Sequence, residues 1–109
     1  MKMVQAIIRP ERFEDVKRSL EDKGFIAMSI TEMRGRGEQK GIRLSQRGRT
    51  VEVDVLPKVK LELVVEDEHV EPIVSIIRGS ARTGKVGDGK IFVLPVDMMC
   101  KVRTDEVWR

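Results

Sequence analysis

Residues 58–82, KVKLELVVEDEHVEPIVSIIRGSAR, decide the fold of this chain. Apolar side chains stand at every second position from 59 to 65 and alternate there with charged ones, which predicts a strand with one buried face. Apolar residues then recur at helical spacing over 67–82, with Asp67 as the expected N-cap. Pro72 is tolerated only near the first turn of a helix, so a slightly later helix start would suit it better.

A second strand of this half is predicted at 90–96, KIFVLPV, and a short last strand at 98–103. The first third of the chain repeats the same order. An apolar strand is predicted at 3–9, a helix begins at Pro10 and ends near Gly24, and 25–33 again favours a strand.

Two β-α-β halves joined by right-handed crossovers form a four-stranded antiparallel sheet with both helices on one face. We therefore expect an α+β fold, a ferredoxin-like βαββαβ sandwich, in a single domain over residues 1–109. The connection between its second and third strands is long, and the alternation of valines with acidic residues over 51–55 predicts a half-exposed strand or ribbon within it.

Composition excludes several classes of function. Aromatic residues make up 4% of the chain and Tyr is absent, which disfavours a base-stacking surface for nucleic acid. A single Cys excludes a disulfide framework and a cysteine-built metal site, and is typical of a reducing compartment. Because no apolar run approaches the roughly 18 residues of a membrane helix, and the N-terminus does not resemble a signal peptide, we expect a cytoplasmic protein.

The long connection is basic. Residues 34–49 carry six basic residues and one acidic residue, a net charge of +5 in a chain whose total is +3, together with four of the nine glycines. A connection of this length in so small a domain is usually functional or disordered, and we favour function. Basic residues interleaved with glycine suit an anion or an acidic partner surface, and a solvated basic loop is the alternative.

Residues 84–90, GKVGDGK, predict an anion-binding turn. They nearly match the P-loop pattern, but Ile91 stands where a magnesium-binding hydroxyl is needed and a strand follows instead of a helix, so we exclude a P-loop ATPase. Three glycines still let the backbone approach a ligand closely, and Lys85 and Lys90 supply charge. A plain glycine-rich turn is the alternative. Two cations near the last predicted strand can reach the same anion: Lys101 and Arg103.

No set of side chains points to catalysis. His69 stands alone in a charged helix start and is expected at the surface. Cys100 lies in a mostly apolar stretch, which predicts a packed thiol. The carboxylates are scattered, without a pair whose spacing suits acid/base chemistry. The sequence therefore predicts a binding protein and not an enzyme.

Several blocks of sequence together resemble the nitrogen-regulatory PII family of signal proteins, especially its GlnK-type members. The resemblance runs from Met1 to about Thr104. It rests on the loop frame Gly35-x-Gly37-x-Gln39-Lys40-Gly41, on VDVLPKVK at 53–60, on RTGKVGDGKIFV at 82–93 and on VRT at 102–104. Each block alone is weak evidence, but their joint occurrence at the family's spacing makes the resemblance specific.

The resemblance implies a homotrimer with a nucleotide site in each cleft between neighbouring subunits, and a T-loop at approximately 36–56 rising from each site. The expected ligands are ATP, ADP or AMP, with Mg²⁺ and 2-oxoglutarate. At the adenine and ribose the resemblance places Ile7, Ser29 and Val64; around the phosphates it places Arg36, Gly37, Glu38, Gly87, Asp88, Gly89, Lys90, Lys101 and Arg103. Gln39 would help to coordinate Mg²⁺ and would also contact 2-oxoglutarate. Lys58 would pair with a carboxylate of 2-oxoglutarate, with Lys40 and Gly41 beside it.

The function implied is a transducer of nitrogen status that regulates a partner protein. Arg47 matches the residue that GlnK-type proteins insert into the cytoplasmic mouth of an ammonium channel, so the transporter is the expected partner and membrane association is expected to be reversible. Val51 and Arg49 replace the tyrosine and serine that some members modify, which leaves ligand binding as the input. Glu38 replaces a common arginine, and Lys101 keeps the charge of an arginine but loses its fork.

Three alternatives stay open at this stage. Within the family, the partner could be nitrogenase or another enzyme of nitrogen assimilation. A ferredoxin-like domain with a basic loop could bind RNA, but that function needs exposed aromatic residues on the central strands, and Phe13, Phe25 and Phe92 are not so arranged. A small acyl-phosphate hydrolase on the same fold is the third.

Overall fold

The computed structural model describes residues 1–37 and 55–109 in full, and the backbone of 42–46 and 49–53. Its elements, in chain order, are β1 (Lys2–Ile8), α1 (Phe13–Asp22), β2 (Ser29–Gly35), β3 (Ile42–Gln46), β4 (Arg49–Val53), β5 (Leu56–Val65), α2 (Val70–Ala81), β6 (Lys90–Pro95), β7 (Met99–Cys100) and β8 (Val107–Trp108). Short 3-10 turns at Pro10–Arg12 and Asp67–His69 lead into the two helices.

Four of these strands form the main sheet, in the order β2-β5-β1-β6, with every neighbouring pair antiparallel. The two central strands come from different halves of the chain, as expected when two β-α-β units interlock. This is the ferredoxin-like α+β arrangement expected from the order of elements, and the prediction is confirmed.

The core lies between one face of the sheet and the two helices. The period-2 pattern of β1 and β5 turns alternate residues to this face, where Val4, Ala6 and Leu61 are fully buried. The helices add Leu20 from α1 and Ile77 from α2. Both helices therefore cover the same face of the sheet, and the opposite face carries Gln5, Lys60, Glu62, Phe92 and Leu94.

The helix boundaries follow the sequence signals with one exception. Pro10 stands at the first position of its turn, and Gly24 leaves α1 with a φ of +88°. α2 begins at Val70, so Pro72 falls in its first turn. The prediction of Asp67 as an N-cap is wrong, because Glu66 precedes the turn and the Asp67 carboxylate instead accepts a hydrogen bond from the N-terminal ammonium at 2.7 Å.

Two strand predictions also need correction. The second strand begins at Ser29 and not at residue 25, because Phe25 turns towards the core and packs edge-on against the exposed His69 ring at 5.4 Å. The last predicted strand is the short β7, which pairs with β8 in a C-terminal hairpin. Cys100 in this hairpin is exposed, so the predicted packing of its thiol is wrong for the single chain.

The connection from β2 to β5 contains the antiparallel pair β3–β4, with Ile42 opposite Val53 and Gln46 opposite Arg49. This matches the ribbon expected within the T-loop between the second and third strands of the main sheet. Within the described residues, neither helix has the length and apolar character needed to cross a membrane.

Candidate functional site

The segment 82–89, which we call the glycine loop, joins α2 to β6. Its three glycines all have positive φ, +86° at Gly84, +101° at Gly87 and +103° at Gly89. At Gly89 a side chain is excluded for a second reason, since a Cβ would lie 1.8 Å from the carbonyl oxygen of Ile7. The glycine loop therefore touches the end of β1 directly, and this contact requires glycine.

The Asp88 carboxylate shapes the glycine loop from within. It accepts hydrogen bonds from the backbone N–H groups of Thr83 and Gly84, both at 2.8 Å, and from the Thr83 hydroxyl. Arg9 donates a further bond from Nε at 3.0 Å. These donors, the Thr83 hydroxyl foremost, hold the pKa of Asp88 well below its ordinary value. With its oxygens so engaged, Asp88 can meet a phosphate only through its backbone.

Arg9 anchors the glycine loop from outside. It follows β1 directly, and besides the bond to Asp88 it donates from Nη2 to the carbonyl oxygen of Val86 at 2.7 Å. The sequence analysis missed Arg9, because it closed a predicted strand and had no motif of its own. Its only signal was a basic residue between a buried strand and the proline that starts a helix.

Lys58 reaches the glycine loop from β5. Its ammonium donates to the carbonyl oxygen of Gly87 at 2.5 Å. Burial and the neighbouring Arg9 charge lower the pKa of Lys58, while Glu11 and Asp88 oppose them. Lys58 also lies beside the end of β2, where a Cβ on Gly35 would be 3.7 Å from its Cγ. The base of the β2–β5 connection and the glycine loop thus meet at one lysine.

The structure brings together residues predicted to bind the nucleotide with Lys58, which is predicted to bind 2-oxoglutarate. Ile7 pairs with Lys90 in the sheet and contacts Gly89, and Lys58 contacts Gly87. The exposed Arg36 and Gly37 follow the end of β2 beside this group. We call this group, with Arg9 and Asp88, the loop cluster: Ile7, Arg9, Lys58, Gly87, Asp88, Gly89 and Lys90.

Two other predicted residues lie far from the loop cluster. Lys58 pairs with Met33, and Ser29 lies four residues further along β2, about 13 Å away at the rise of a strand. Val64 lies six residues from Lys58 along β5, about 20 Å away, and four residues from Lys60, the partner of Ile7, about 13 Å away. Within the single chain, Ser29 and Val64 therefore lie at a distance from the glycine loop.

Lys101 and Arg103 belong to the C-terminal hairpin. The Lys101 ammonium lies 3.8 Å from a carboxylate oxygen of Glu106 and 5.1 Å from the centre of the Trp108 ring. Arg103 is exposed in the turn between β7 and β8. The other predicted site residues lie outside the described part of the chain, so their roles stay predictions: Glu38, Gln39, Lys40, Gly41 and Arg47.

On the opposite, helix-covered face, the glycine loop borders a cavity of about 340 Å³ between α2 and β6. Its floor is apolar and includes Ile8, Ile77 and Ile91, and Arg78 and Arg82 also line it. The sequence analysis did not predict this cavity. Asp88, Gly89 and Lys90 line it as well, so the glycine loop is shared between the cavity and the loop cluster.

The loop cluster suits a polyanion better than a metal ion. Glycines at 87 and 89 permit close backbone approach, and cations stand beside them at Lys58 and Lys90. Among the described residues no three His, Cys, Asp or Glu side chains come together as metal ligands. A divalent cation here would need oxygens supplied by the ligand itself.

This chain is similar to known proteins along almost its whole length. The family model described as "Nitrogen regulatory protein P-II" matches residues 1–106. The "Nitrogen regulatory protein P-II 2" of Methanothermobacter thermautotrophicus is 53% identical over 106 residues, which cover 97% of this chain and 92% of that protein. The "Nitrogen regulatory protein P-II" of Pasteurella multocida is 49% identical over 106 residues, 97% of this chain and 95% of that protein.

Proposed function

We propose, since this chain belongs to the nitrogen regulatory protein P-II family, that it is a GlnK-type transducer of nitrogen status that binds ATP or ADP together with 2-oxoglutarate. It acts by binding and not by catalysis. The observation that carries the proposal is the loop cluster, in which a glycine loop shaped by Asp88 lies between Lys58 and the strand that starts at Lys90.

The charge of the ligand explains why these residues are needed. ATP brings roughly four negative charges, of which Mg²⁺ offsets two, and cations must balance the rest in a partly buried site. Lys90 from the loop cluster and Lys101 and Arg103 from the C-terminal hairpin supply them. Gln39 would help to hold Mg²⁺, and the metal would supply a ligand point for the keto acid of 2-oxoglutarate, so 2-oxoglutarate should bind chiefly after Mg-ATP.

We propose that the site is completed by a neighbouring copy in a homotrimer. Within one chain, Ser29 and Val64 lie about 13 and 20 Å along the strands from Lys58, and a neighbouring copy could bring its own Ser29 and Val64 to the loop cluster. The sheet face away from the helices supports the same assembly. Its large apolar side chains are strongly exposed in the single chain, with Phe92 at 44% and Leu94 at 42%.

The 2-oxoglutarate site would be formed by Lys58, which pairs with a carboxylate, with Gln39, Lys40 and Gly41 beside it. Lys58 also donates a hydrogen bond to Gly87 of the glycine loop, which would bind the nucleotide. Both ligands would therefore act on the contact between Lys58 and Gly87. Binding there selects among conformations of the T-loop, and a coupling of about 1–3 kcal/mol would change partner affinity roughly 5- to 150-fold.

The partner we propose is an ammonium transporter, approached from the cytoplasm by Arg47 of the T-loop. High 2-oxoglutarate reports nitrogen shortage and releases the transporter, whereas ADP with little 2-oxoglutarate lets the T-loop block it. Arg47→Glu should retain both small ligands and lose the transporter in co-purification from membranes. Unchanged co-purification would contradict this partner, and capture of nitrogenase or another nitrogen-assimilation enzyme in its place would identify the alternative.

Calorimetry with ATP, ADP and AMP, each with and without 2-oxoglutarate, tests the ligand assignment. We expect 2-oxoglutarate to bind in the presence of Mg-ATP and much more weakly with ADP. Sedimentation of the same samples tests the trimer. Absence of nucleotide binding, or a monomer that binds nucleotide fully, would overturn the corresponding part of the proposal.

A further inference from the structure

Arg9 hydrogen-bonds two residues of the glycine loop, Val86 and Asp88, and lies close to Gly87 between them. Its Nε bonds the Asp88 carboxylate at 3.0 Å and its Nη2 bonds the Val86 carbonyl oxygen at 2.7 Å. Gly87 lies between them, so close that a Cβ there would be 3.2 Å from Nη2. The side chain is 19% exposed, so it is packed against the loop and does not extend into solvent.

This contact ties the glycine loop to the rigid part of the fold. Arg9 directly follows β1, a central strand of the sheet, and precedes the turn that begins at Pro10. The bonds from Thr83 and Gly84 to Asp88 close the glycine loop on itself, but they do not fix its position relative to the sheet. The bonds from Arg9 help to fix that position, beside the contact of Gly89 with Ile7 and the bond from Lys58 to Gly87, and a guanidinium with two separately directed donors restrains both distance and orientation.

Two neighbouring carbonyl groups of the glycine loop accept hydrogen bonds from side chains on different parts of the sheet, Arg9 after the end of β1 and Lys58 on β5. Arg9 bonds the carbonyl of Val86 and Lys58 bonds that of Gly87. A carboxylate ligand at Lys58 would draw the lysine away from Gly87, whereas nothing in the proposed function draws Arg9 from Val86 or Asp88. Arg9 is thus the contact that would hold the glycine loop in place while Lys58 changes partner.

We propose that Arg9 is a positioning residue of the nucleotide site: its guanidinium fixes the glycine loop against β1 in the conformation that receives the phosphates. The inference rests on the proposed function for the identity of the ligand. The anchoring itself is a property of the protein without ligand, and it can be measured separately.

The test uses the full chain with two substitutions. Arg9→Gln loses both the positive charge and the paired N–H donors of the guanidinium, and Arg9→Lys keeps only the charge. Arg18→Gln is the matched control, because Arg18 is 70% exposed and its ion pair in the described part of the chain is with Asp15 of its own helix. Amide hydrogen exchange without nucleotide, followed at Thr83 and Gly84, reports opening of the glycine loop. Calorimetry reports ATP affinity, and thermal unfolding checks that each variant is folded.

We expect Arg9→Gln to speed exchange at Thr83 and Gly84 about tenfold or more and to weaken ATP binding by a similar factor, the size typical for loss of a charge-assisted hydrogen bond. Arg9→Lys should recover part of both effects and Arg18→Gln should show neither. In a double-mutant cycle with Asp88→Asn, the two losses should be strongly non-additive, because one bond joins the pair.

Unchanged exchange in a folded Arg9→Gln protein would overturn the inference, whatever the ATP result. Faster exchange with unchanged ATP affinity would also overturn it, because the loop would then be anchored without consequence for the ligand. If the unmodified protein bound no ATP, the proposed function would fail and the nucleotide role of Arg9 with it, while exchange would still show whether Arg9 anchors the loop.

Discussion

The ammonium of Lys58 donates a hydrogen bond to the carbonyl oxygen of Gly87 at 2.5 Å, across 29 positions of sequence. Lys58 is the residue proposed to meet the carboxylate of 2-oxoglutarate, and Gly87 belongs to the loop proposed to meet the phosphates. The lysine can direct its charge towards the loop carbonyl or towards an arriving carboxylate. This competition gives the two ligands a direct physical means of influencing each other.

Replacement of Lys58 should affect the binding of 2-oxoglutarate and of ATP differently. Lys58→Met keeps an apolar stem of similar length but loses the ammonium, so we expect 2-oxoglutarate binding to be lost while ATP binding changes by less than about fivefold, the weight of a partly exposed charge. Calorimetry with ATP, followed by 2-oxoglutarate, measures both. Lys17→Met is the control, because Lys17 lies on α1 and pairs with Glu14 of the same helix. An unchanged 2-oxoglutarate response in Lys58→Met would contradict the assignment.

The affinity for 2-oxoglutarate should also fall as the pH rises. Burial and Arg9 lower the pKa of Lys58 from its usual 10.5, so in the free protein this lysine begins to lose its proton at a lower pH than an ordinary lysine does. A carboxylate ligand favours the charged form and raises that pKa again. Between the two values binding takes up a proton, and affinity should fall by at most about tenfold per pH unit. Calorimetry in buffers of different ionisation enthalpy detects the proton; no uptake would contradict the pairing.

Gly89→Ala should disrupt the glycine loop. Its φ of +103° and the Ile7 carbonyl oxygen, 1.8 Å from the position of a Cβ, both exclude a side chain. The backbone strain alone is expected to destabilise the fold by about 1–3 kcal/mol, and ATP affinity should fall at least tenfold. Gly79→Ala is the matched control, because among the described residues no atom beyond its chain neighbours and its own helix backbone lies within 4 Å of its Cβ position, and alanine in a helix should stabilise by about 0.5–1 kcal/mol. Equal ATP affinity in the two variants would refute the role of the loop.

Glu106→Gln should strengthen nucleotide binding. Glu106 would compete with a bound phosphate for the Lys101 ammonium, which lies 3.8 Å from its carboxylate, and both side chains are half exposed. Removal of an ion pair of this kind should raise ATP affinity about two- to fivefold. The single Trp of the chain lies beside Lys101, so its fluorescence should change as ATP binds.

Asp105→Asn is the control for this hairpin. It removes one negative charge from the same turn, and asparagine tolerates the φ of +62° found there. If Asp105→Asn and Glu106→Gln strengthened ATP binding equally, the effect would come from net charge and not from the contact with Lys101.

Leu61→Ala tests the packing on which the site depends. Leu61 is fully buried at the centre of β5, so we expect a loss of about 2–5 kcal/mol in the free energy of unfolding, measured by denaturant titration. Val102→Ala, at 99% exposure in the single chain, should change it by no more than about 0.5 kcal/mol. A loss below about 1 kcal/mol for Leu61→Ala would show that β5 is not packed as described.

The sequence by itself was sufficient for the two helices, the four strands of the main sheet, their order and the family; it did not predict β3 or β8. Alternation over 59–65 and helical spacing over 67–82 reflect the geometry of a single strand or helix, and backbone geometry acts over only a few residues. A local sequence signal was wrong where a residue distant in sequence offered another interaction. Asp67 has the right chemistry for an N-cap, but its carboxylate accepts a hydrogen bond from the N-terminal ammonium.

Only the tertiary structure decided how the site is assembled. Arg9 and Asp88 are 79 positions apart, and no pattern in the sequence predicts the hydrogen bond between them. Their meeting depends on the sheet order, which places the end of β1 beside the start of β6, and on the register that sets Ile7 opposite Lys90. The registers of β5 with β1 and β2 place Val64 opposite Met3 and Ser29 opposite Glu62, several residues along the strands from Lys58. Contacts distant in sequence follow from how strands are paired, and that pairing is a property of the whole packed sheet.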